Sequence, residues 1–317
     1  MGNILDAIGN TPLVNVEEVV ENGDFELYLK LEGLNPSGST KDRSALCIMK
    51  RAIEEGKVNR DSVVIESSSG NFGIALAQIC SCFKIRFICV IDENITKMNY
   101  ELLKIYHAEI CYISSKDLTE GESLLQKRVS TVKKLLQENP NSFSPNQYGN
   151  LNNPLGHRQT MKEIHEKLGD IDYLFCAVST FGTIRGYAEY IMEHHLQTKI
   201  IAVDAVGSVI FGGESKKRLL PGHGAARRSE LYVDGLVADV VYVDDLECVQ
   251  GCRRLIRTEG ILVGASSGGI ITAITKYQDK IEKGSVCVAI IHDRGDRYLH
   301  TVYSDEWVKE HFGEVQL

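Results

Sequence analysis

The sequence predicts an α/β fold of two lobes, each a parallel sheet covered by helices, and three observations predict it. Apolar β-rich runs alternate with helix-period stretches along most of the chain. A polar, asparagine-rich segment interrupts that alternation near the middle, and glycine- and serine-rich junctions stand just before several of the predicted helices. With 317 residues, 43% of them hydrophobic and 25% charged, the chain can bury a substantial core without disulfide or metal staples.

The elements follow in order. After an Ile8-Gly9-Asn10-Thr11-Pro12-Leu13 turn, Phe25 to Glu32 alternates between Gly23 and Gly33 and reads as a strand. The loop Asn35-Pro36-Ser37-Gly38-Ser39-Thr40 feeds a helix beginning near Lys41. Strands at Val63–Ile65, Phe87–Ile91 and Ile110–Ile113 then alternate with helices at Gly73–Cys82, Thr96–Tyr106 and Glu122–Gln137. Asn139 to Asn153 reads as a linker or a loop lining a cleft. A second series places strands at Tyr173–Val178, Ile200–Val203, Val240–Val243 and Val286–Ile291, with helices near Thr183–Glu193, Leu246–Arg257 and Gly269–Ile281. Gly207 to Glu230 is glycine-rich and basic, a composition that predicts a mobile or site-lining loop. Two α/β layers facing each other leave a cleft for a ligand.

Composition narrows the function. A formal net charge of −8 argues against a broad grip on nucleic acid or an anionic membrane, so small molecules are the expected partners. Cys47, Cys80, Cys82, Cys111 and Cys252 lie mostly in apolar runs without C-x-x-C spacing and read as buried free thiols. No apolar stretch approaches the roughly 20 residues of a membrane span, and a reduced cytoplasmic protein is expected.

Chemistry concentrates at the junctions. Lys41, in Ser39-Thr40-Lys41-Asp42-Arg43, stands where a loop becomes a helix, a fixed point from which an amine can hold an aldehyde cofactor. Taken alone it reads as a solvated first-turn lysine, the usual case at such a position. Ser67-Ser68-Ser69-Gly70-Asn71-Phe72-Gly73 follows an apolar strand and opens a helix, so its amides and hydroxyls suit a carboxylate. A plain N-cap accounts for one of these serines but not for three. Val178-Ser179-Thr180-Phe181-Gly182-Thr183 repeats the arrangement and suits a phosphate monoester held by amides and hydroxyls. Gly264-Ala265-Ser266-Ser267-Gly268-Gly269 is a third junction or simply another cap. Three such loops, read as following strands on one face of two parallel sheets, favour a phosphate-bearing cofactor.

The stretches Gly9-Asn10-Thr11-Pro12-Leu13, Asn35 to Arg43 and Ser68-Ser69-Gly70-Asn71-Phe72-Gly73 resemble the cysteine synthase and cystathionine β-synthase family. The resemblance continues through Val178–Thr183, Gly264–Gly268 and Asp293-Arg294-Gly295-Asp296-Arg297-Tyr298, nearly the whole chain. It implies a fold-type II, tryptophan synthase β-like enzyme of two three-layer α/β/α domains that uses pyridoxal 5'-phosphate. The smaller mobile domain would span 35–145, and the larger, cofactor-phosphate-binding one 1–34 and 146–317. Carried over by position, Lys41 is the Schiff-base lysine, Asn71 the partner of the cofactor's phenolic oxygen, and Ser266 the partner of the ring nitrogen. Ser179, Thr180, Gly182 and Thr183 fall where the family binds the cofactor phosphate; Ser68, Ser69, Asn71 and Gln147 fall where it holds the substrate carboxylate. A neutral serine at the ring nitrogen favours β-elimination over transamination. The phosphate loop departs from the family's glycines at Ser179 and Phe181, which reshapes the pocket for the second substrate. A homodimer without metal is also implied.

Asn146-Gln147-Tyr148, Val178-Ser179-Thr180, Val203 to Gly212 and Asp293 to Tyr298 resemble one branch more closely, the N-(2-amino-2-carboxyethyl)-L-glutamate synthases. These join O-phospho-L-serine to the amine of L-glutamate, releasing phosphate, to supply 2,3-diaminopropionate for siderophores and peptide antibiotics. An incoming dicarboxylate and a departing phosphate both suit guanidinium partners. Arg218, Arg227 and Arg228 occupy the glycine-rich loop, and Arg227 is preferred; Arg128 and Tyr148 are further candidates, although each arginine is otherwise a solvated surface residue. The alternatives are a cysteine synthase using O-acetylserine or O-phosphoserine with sulfide, and a non-catalytic cofactor-binding relative. A cystathionine β-synthase stands lower, since the chain read to Leu317 leaves no room for an appended regulatory domain, and no G-x-G-x-x-G supports a nicotinamide enzyme.

Overall fold

The computed structural model describes residues 3–20 and 23–315. Its strands are β1 (Leu13–Val16), β2 (Glu26–Leu31), β3 (Val63–Ser67), β4 (Arg86–Asp92), β5 (Glu109–Ile113), β6 (Ser142–Phe143), β7 (Tyr173–Ala177), β8 (Lys199–Ala205), β9 (Asp239–Val243) and β10 (Val286–Ile291). Its helices are α1 (Lys41–Glu54), α2 (Asn71–Phe83), α3 (Lys97–Ile105), α4 (Leu124–Glu138), α5 (Asn152–Leu168), α6 (Gly182–Glu193), α7 (Asp245–Glu259), α8 (Ala265–Tyr277) and α9 (Asp305–Phe312). No helix among the described residues is long and apolar enough to cross a membrane.

Two sheets result. One runs β1-β2-β10-β7-β8-β9 and is parallel except where β1 meets β2; the other runs β5-β4-β3-β6 and is parallel throughout. Parallel strands need helical crossovers, which cover both faces, so the strands read as continuous apolar runs. The period of two then sorts each strand. In the large sheet Tyr173, Phe175, Ile201, Val203, Cys287 and Ala289 pack towards α7 and α8, whereas Leu174, Cys176, Ile200, Ala202, Val288 and Ile290 pack towards α5 and α6. In the small sheet Val64, Phe87 and Cys89 face α1 and α2, and Ile65, Ile88 and Val90 face α4. Both sheets are therefore the middle layer of an α/β/α sandwich.

The sequence reading missed four elements. The largest is α5, which lies partly within the segment read as a linker and partly beyond it. Its buried face consists of Asn153, Pro154, His157, Thr160, Met161 and Ile164, too polar to give an apolar stripe. Small β1 and two-residue β6 lack the length for a period, and α9 was not assigned. One correction concerns the third junction: the Gly264 loop follows α7, not a strand, and reaches the sheet only through an isolated bridge between Val263 and Arg294. Of the five cysteines named, Cys80 and Cys252 are buried, while Cys47, Cys82 and Cys111 are only half-buried.

The seam between α1, α5 and α6 is built on close backbone approach. A Cβ on Gly156 would lie 2.5 Å from the Arg43 carbonyl oxygen, and one on Gly186 would lie 2.3 Å from that of Pro154. Both are closer than carbon and oxygen tolerate, so a methyl group must push helices apart. Gly156→Ala is expected to destabilise the protein by about 1–3 kcal/mol and to lower activity with it, since α1 carries Lys41. Denaturant unfolding and turnover of the variant check this, and unchanged stability would contradict the packing described.

Candidate active site

The start of α1 is fixed by buried charge. Arg43 donates through Nε and Nη2 to both carboxylate oxygens of Glu32, at 2.6 and 2.8 Å, and through Nη1 and Nη2 to both of Glu163 on α5, at 2.8 Å each. Lys30 of β2 donates to Glu163 at 2.7 Å and to the Thr11 carbonyl at 2.6 Å. The Thr11 hydroxyl donates to Glu32 at 2.7 Å, the Asn35 amide to Glu32 at 3.0 Å, and the backbone N–H groups of Gly9 and Asn10 to Asn35 and Glu163, both at 2.9 Å. Two cations face two carboxylates, and nearly every acceptor is filled. Removing one partner from such a buried cluster costs about 3–5 kcal/mol. Much of the Gly9–Leu13 and Asn35–Arg43 motifs thus serves to seat α1 on β2 and α5.

Lys41 is the first residue of that helix. The Thr40 N–H donates to the His292 carbonyl at 2.8 Å, tying the loop to the end of β10. The Lys41 side chain enters a narrow cleft shared with Ala177, Val178, Ser179, Phe181, Thr183, Gly222 and His292. Burial pushes the lysine pKa down, with Cys176 and Asp293 opposing. No salt bridge forms on Lys41 among the described residues. The nearby imidazoles are held neutral: burial, the Lys41 charge and His223 bring His292 to about 3, and burial with Lys41 and Arg43 takes His157 well below its usual range. The His292 Nε2 accepts from the Ala177 N–H at 3.2 Å. An amine among neutral groups is more readily deprotonated than one facing a carboxylate.

Asn71 opens α2, and its side chain is already engaged. Its amide donates to Asp293 at 2.8 Å, its oxygen accepts from Arg297, and Arg297 also donates to the Ser37 carbonyl. The Tyr298 hydroxyl donates to the same Asp293 oxygen at 2.8 Å. Burial raises the Asp293 pKa against the hydrogen bond from Asn71 and the Arg297 charge. These three residues lie in the quoted Asp293–Tyr298 motif, but nothing in the sequence pairs them with Asn71, which is 222 positions away. His157 and His292 carried no sequence signal.

Ser179 and Thr180 lie in the loop between β7 and α6, and Gly182 and Thr183 open α6. Thr180 and Thr183 are buried, the first turn of α6 has no side-chain cap, and its free N–H groups meet the positive end of the helix dipole. The Ser179 hydroxyl donates to the Gly224 carbonyl at 3.2 Å, and the Gly224 N–H donates to the Val178 carbonyl at 2.7 Å. Phe181 is the N-cap in a left-handed conformation, φ 66°, which disfavours a non-glycine residue by roughly 1–2 kcal/mol.

Ser266, at the start of α8, is 1% exposed and its hydroxyl has no hydrogen-bond partner among the described residues. Gly222 approaches so closely that a Cβ there would lie 3.2 Å from that hydroxyl. A buried, unsatisfied hydroxyl beside a glycine cradle is the feature a ligand atom completes.

The carboxylate candidates are arranged on the small sheet and the segment after it. The Ser68 hydroxyl accepts from the Gly73 N–H at 3.0 Å, the half-buried Ser69 gives its carbonyl to Asn99 at 3.0 Å, and Gly70 caps α2 without a side-chain bond, leaving N–H groups free. The Gln147 carbonyl accepts from Asn153 at 2.7 Å. Tyr148 lies beneath Arg227, whose guanidinium sits 4.2 Å from the ring centre and forms no ion pair among the described residues. The other arginines are engaged elsewhere: Arg128 pairs with Asp92 at 3.2 Å, Arg218 donates to the His223 carbonyl at 3.2 Å, and Arg228 donates to the Ile210 carbonyl at 2.9 Å. Glu66, unnoticed in the sequence, is buried beside the serine loop. Burial raises its carboxyl to about 7, against the Ser67 N–H and the Arg227 charge.

Comparison with known proteins decides the family. Residues 4–293 match the profile described as pyridoxal-phosphate dependent enzyme. The chain belongs to that family. It is 40% identical over 308 residues, 96% of this chain and 90% of the relative, to the N-(2-amino-2-carboxyethyl)-L-glutamate synthase of Ralstonia nicotianae. Among solved structures it is similar to the Entamoeba histolytica cysteine synthase, at 31% identity and TM-score 0.88 over 100% of this chain and 96% of that one. It is likewise similar to the O-acetylserine-dependent cystathionine β-synthase of Helicobacter pylori, at 28% identity and TM-score 0.88 over 96% of this chain and 99% of that one. The chain is thus a pyridoxal-phosphate enzyme of fold type II. Its cleft fits the cofactor: an easily deprotonated amine, an uncapped helix start and an unpartnered buried hydroxyl are the three features an aldehyde, a phosphate and a ring nitrogen require.

The Arg43 cluster has a pH signature. Burial alone would raise the Glu163 carboxyl, but Arg43 and Lys30 prevail and bring it from 4.5 to about 2. A depressed carboxylate contributes stability that is complete above the higher value and lost as pH falls towards the lower one. The wild type is therefore expected to lose stability more steeply than Glu163→Gln between those two values, measured by denaturant unfolding at stepped pH. Parallel curves would show that Glu163 does not hold this charge.

Proposed function

We propose that the protein catalyses β-replacement, joining O-phospho-L-serine to L-glutamate to give N-(2-amino-2-carboxyethyl)-L-glutamate and phosphate. The observation that carries the choice of acceptor is Arg227, spread over Tyr148 with its N–H donors free to take a carboxylate. The 40% identity to a relative named for this product supports it. Glutamate offers a second carboxylate for that guanidinium; sulfide has none.

When bound, pyridoxal phosphate supplies the electron sink that acidifies the substrate α-carbon and lets the β-substituent leave. The chain's residues do the rest. Lys41 would hold the cofactor by its amine, and the free amine would move the α-proton, a role its lowered pKa suits. Ser179, Thr180, Gly182 and Thr183 seat the phosphate at the α6 N-terminus. Ser266 would meet the ring nitrogen with a neutral hydroxyl, and Asn71, steadied by Asp293 and Arg297, would partner the phenolic oxygen. Ser68, Ser69, Asn71 and Gln147 orient the donor carboxylate, while Arg218, which bonds only a neutral carbonyl, supplies positive charge around the leaving phosphate and Arg128 is already paired with Asp92. Segment 35–145 forms the mobile domain of a homodimer that makes a 2,3-diaminopropionate precursor for a siderophore or peptide product.

A cysteine synthase activity is the second reading, supported by the likeness to the Entamoeba enzyme. The products of O-phosphoserine or O-acetylserine with glutamate or sulfide separate the two by mass. The glutamate adduct with phosphate release is expected, and cysteine as the sole product would overturn the proposal.

Two variants test the residue roles. Lys41→Ala is expected to abolish the visible absorbance of bound cofactor and turnover together; surviving turnover would remove Lys41 from its role. Arg227→Ala forfeits charge-assisted hydrogen bonds worth about 1.5–3 kcal/mol, so the glutamate KM is expected to rise tenfold or more, measured by steady-state kinetics. An unchanged glutamate KM would assign the carboxylate to another residue.

A further inference from the structure

Phe181 stands in the phosphate loop where glycine would adopt the left-handed turn freely, yet a phenylalanine is held there at 2% exposure. Its ring packs 4.8 Å from that of Tyr232 and 6.1 Å from that of Phe211, and those two rings are 6.0 Å apart, closing a triangle. The contacts continue outward. The Arg228 guanidinium lies 4.5 Å over Tyr232, and the Tyr232 N–H donates to the Ser229 carbonyl at 3.2 Å. The Ser229 hydroxyl in turn donates to the Tyr148 carbonyl at 2.7 Å, and Arg227 covers the Tyr148 ring. Packed rings and hydrogen bonds therefore run without a gap from the loop between β7 and α6 to Arg227 and Tyr148.

A strained backbone persists only where its surroundings hold it in place. Here the surroundings are the aromatic triangle, and glycine at 181 would remove the strain together with the ring that Tyr232 and Phe211 pack against. We propose that Phe181 is a positioning residue for the acceptor: through Tyr232 it fixes the 208–232 segment, and so keeps Arg227 on Tyr148, ready for a dicarboxylic amino acid. The inference rests on the reading of Arg227 given above and deepens it. The departure from glycine then selects the second substrate through the 208–232 segment, whose Gly222 lines the Lys41 cleft.

The test compares Phe181→Gly, which loses both ring and strain, with Phe181→Leu, which keeps the strain without the ring, and with Tyr232→Leu at the partly exposed end of the contact. Steady-state kinetics of the holoenzymes give KM for glutamate and for O-phosphoserine, and amide hydrogen exchange reports on 208–232. All three variants are expected to raise the glutamate KM about tenfold, several times more than the donor KM, and to speed exchange across the segment. Equal changes in both KM values, or an unmoved glutamate KM beside a lowered Tm, would reduce Phe181 to packing and overturn the proposal. If the Phe181 variants do not fold, Tyr232→Leu decides by the same readouts. A wild type that forms no glutamate adduct would refute the acceptor reading separately, and unchanged exchange in the variants would then refute the coupling as well.

Discussion

The site depends on one buried guanidinium. Arg43 binds Glu32 and Glu163 at once, and through them β2, α5, the Gly9–Thr11 turn and Asn35. A cluster of this kind is weak as a source of net stability, because taking its charges out of water offsets most of their attraction. What it provides is position. The guanidinium accepts one arrangement of two carboxylates, so the helix beginning two residues earlier has one place to start, and Lys41 is delivered to the cleft between the sheets. Backbone pairing completes the placement where the Thr40 N–H meets the His292 carbonyl.

Around that amine the protein forms no salt bridge among the described residues, although Asp293 is near enough to oppose the fall in the lysine pKa. His157 and His292 are neutral by burial, and Asp293 is turned to Asn71 and Tyr298 instead of forming a salt bridge with the lysine. A carboxylate paired with Lys41 would hold its proton; neutral neighbours release it. The Ser266 hydroxyl, buried beside Gly222, has no hydrogen-bond partner among the described residues. The polar groups left incomplete are the ones a cofactor would satisfy, while the structural charges of Arg43 are complete without it.

Much of this was legible in the sequence. Alternating apolar runs located eight of the strands, because parallel strands buried on both faces must be apolar throughout, and the loops before α1, α2 and α6 announced themselves as polar, glycine-bearing starts of helices. Hidden from the sequence were α5, whose buried face is polar, and the employment of the arginines. Arg218 and Arg228 spend their guanidinium groups on loop carbonyls, whereas Arg227, preferred in the sequence for its place after Pro221 to Ala226, forms no ion pair among the described residues.

By itself, then, the sequence determined which stretches become strands and helices and which residue types gather at the loop junctions, since periodicity and capping act over a few neighbouring residues. Tertiary structure alone decided that Arg43 meets Glu163 across 120 positions, that Asn71 is held by Asp293, and that Phe181 leans on Tyr232. Those choices, and the altered acidities that follow from them, arise from burial and from which groups are brought within a few ångströms. Both are properties of the packed chain and of no segment within it.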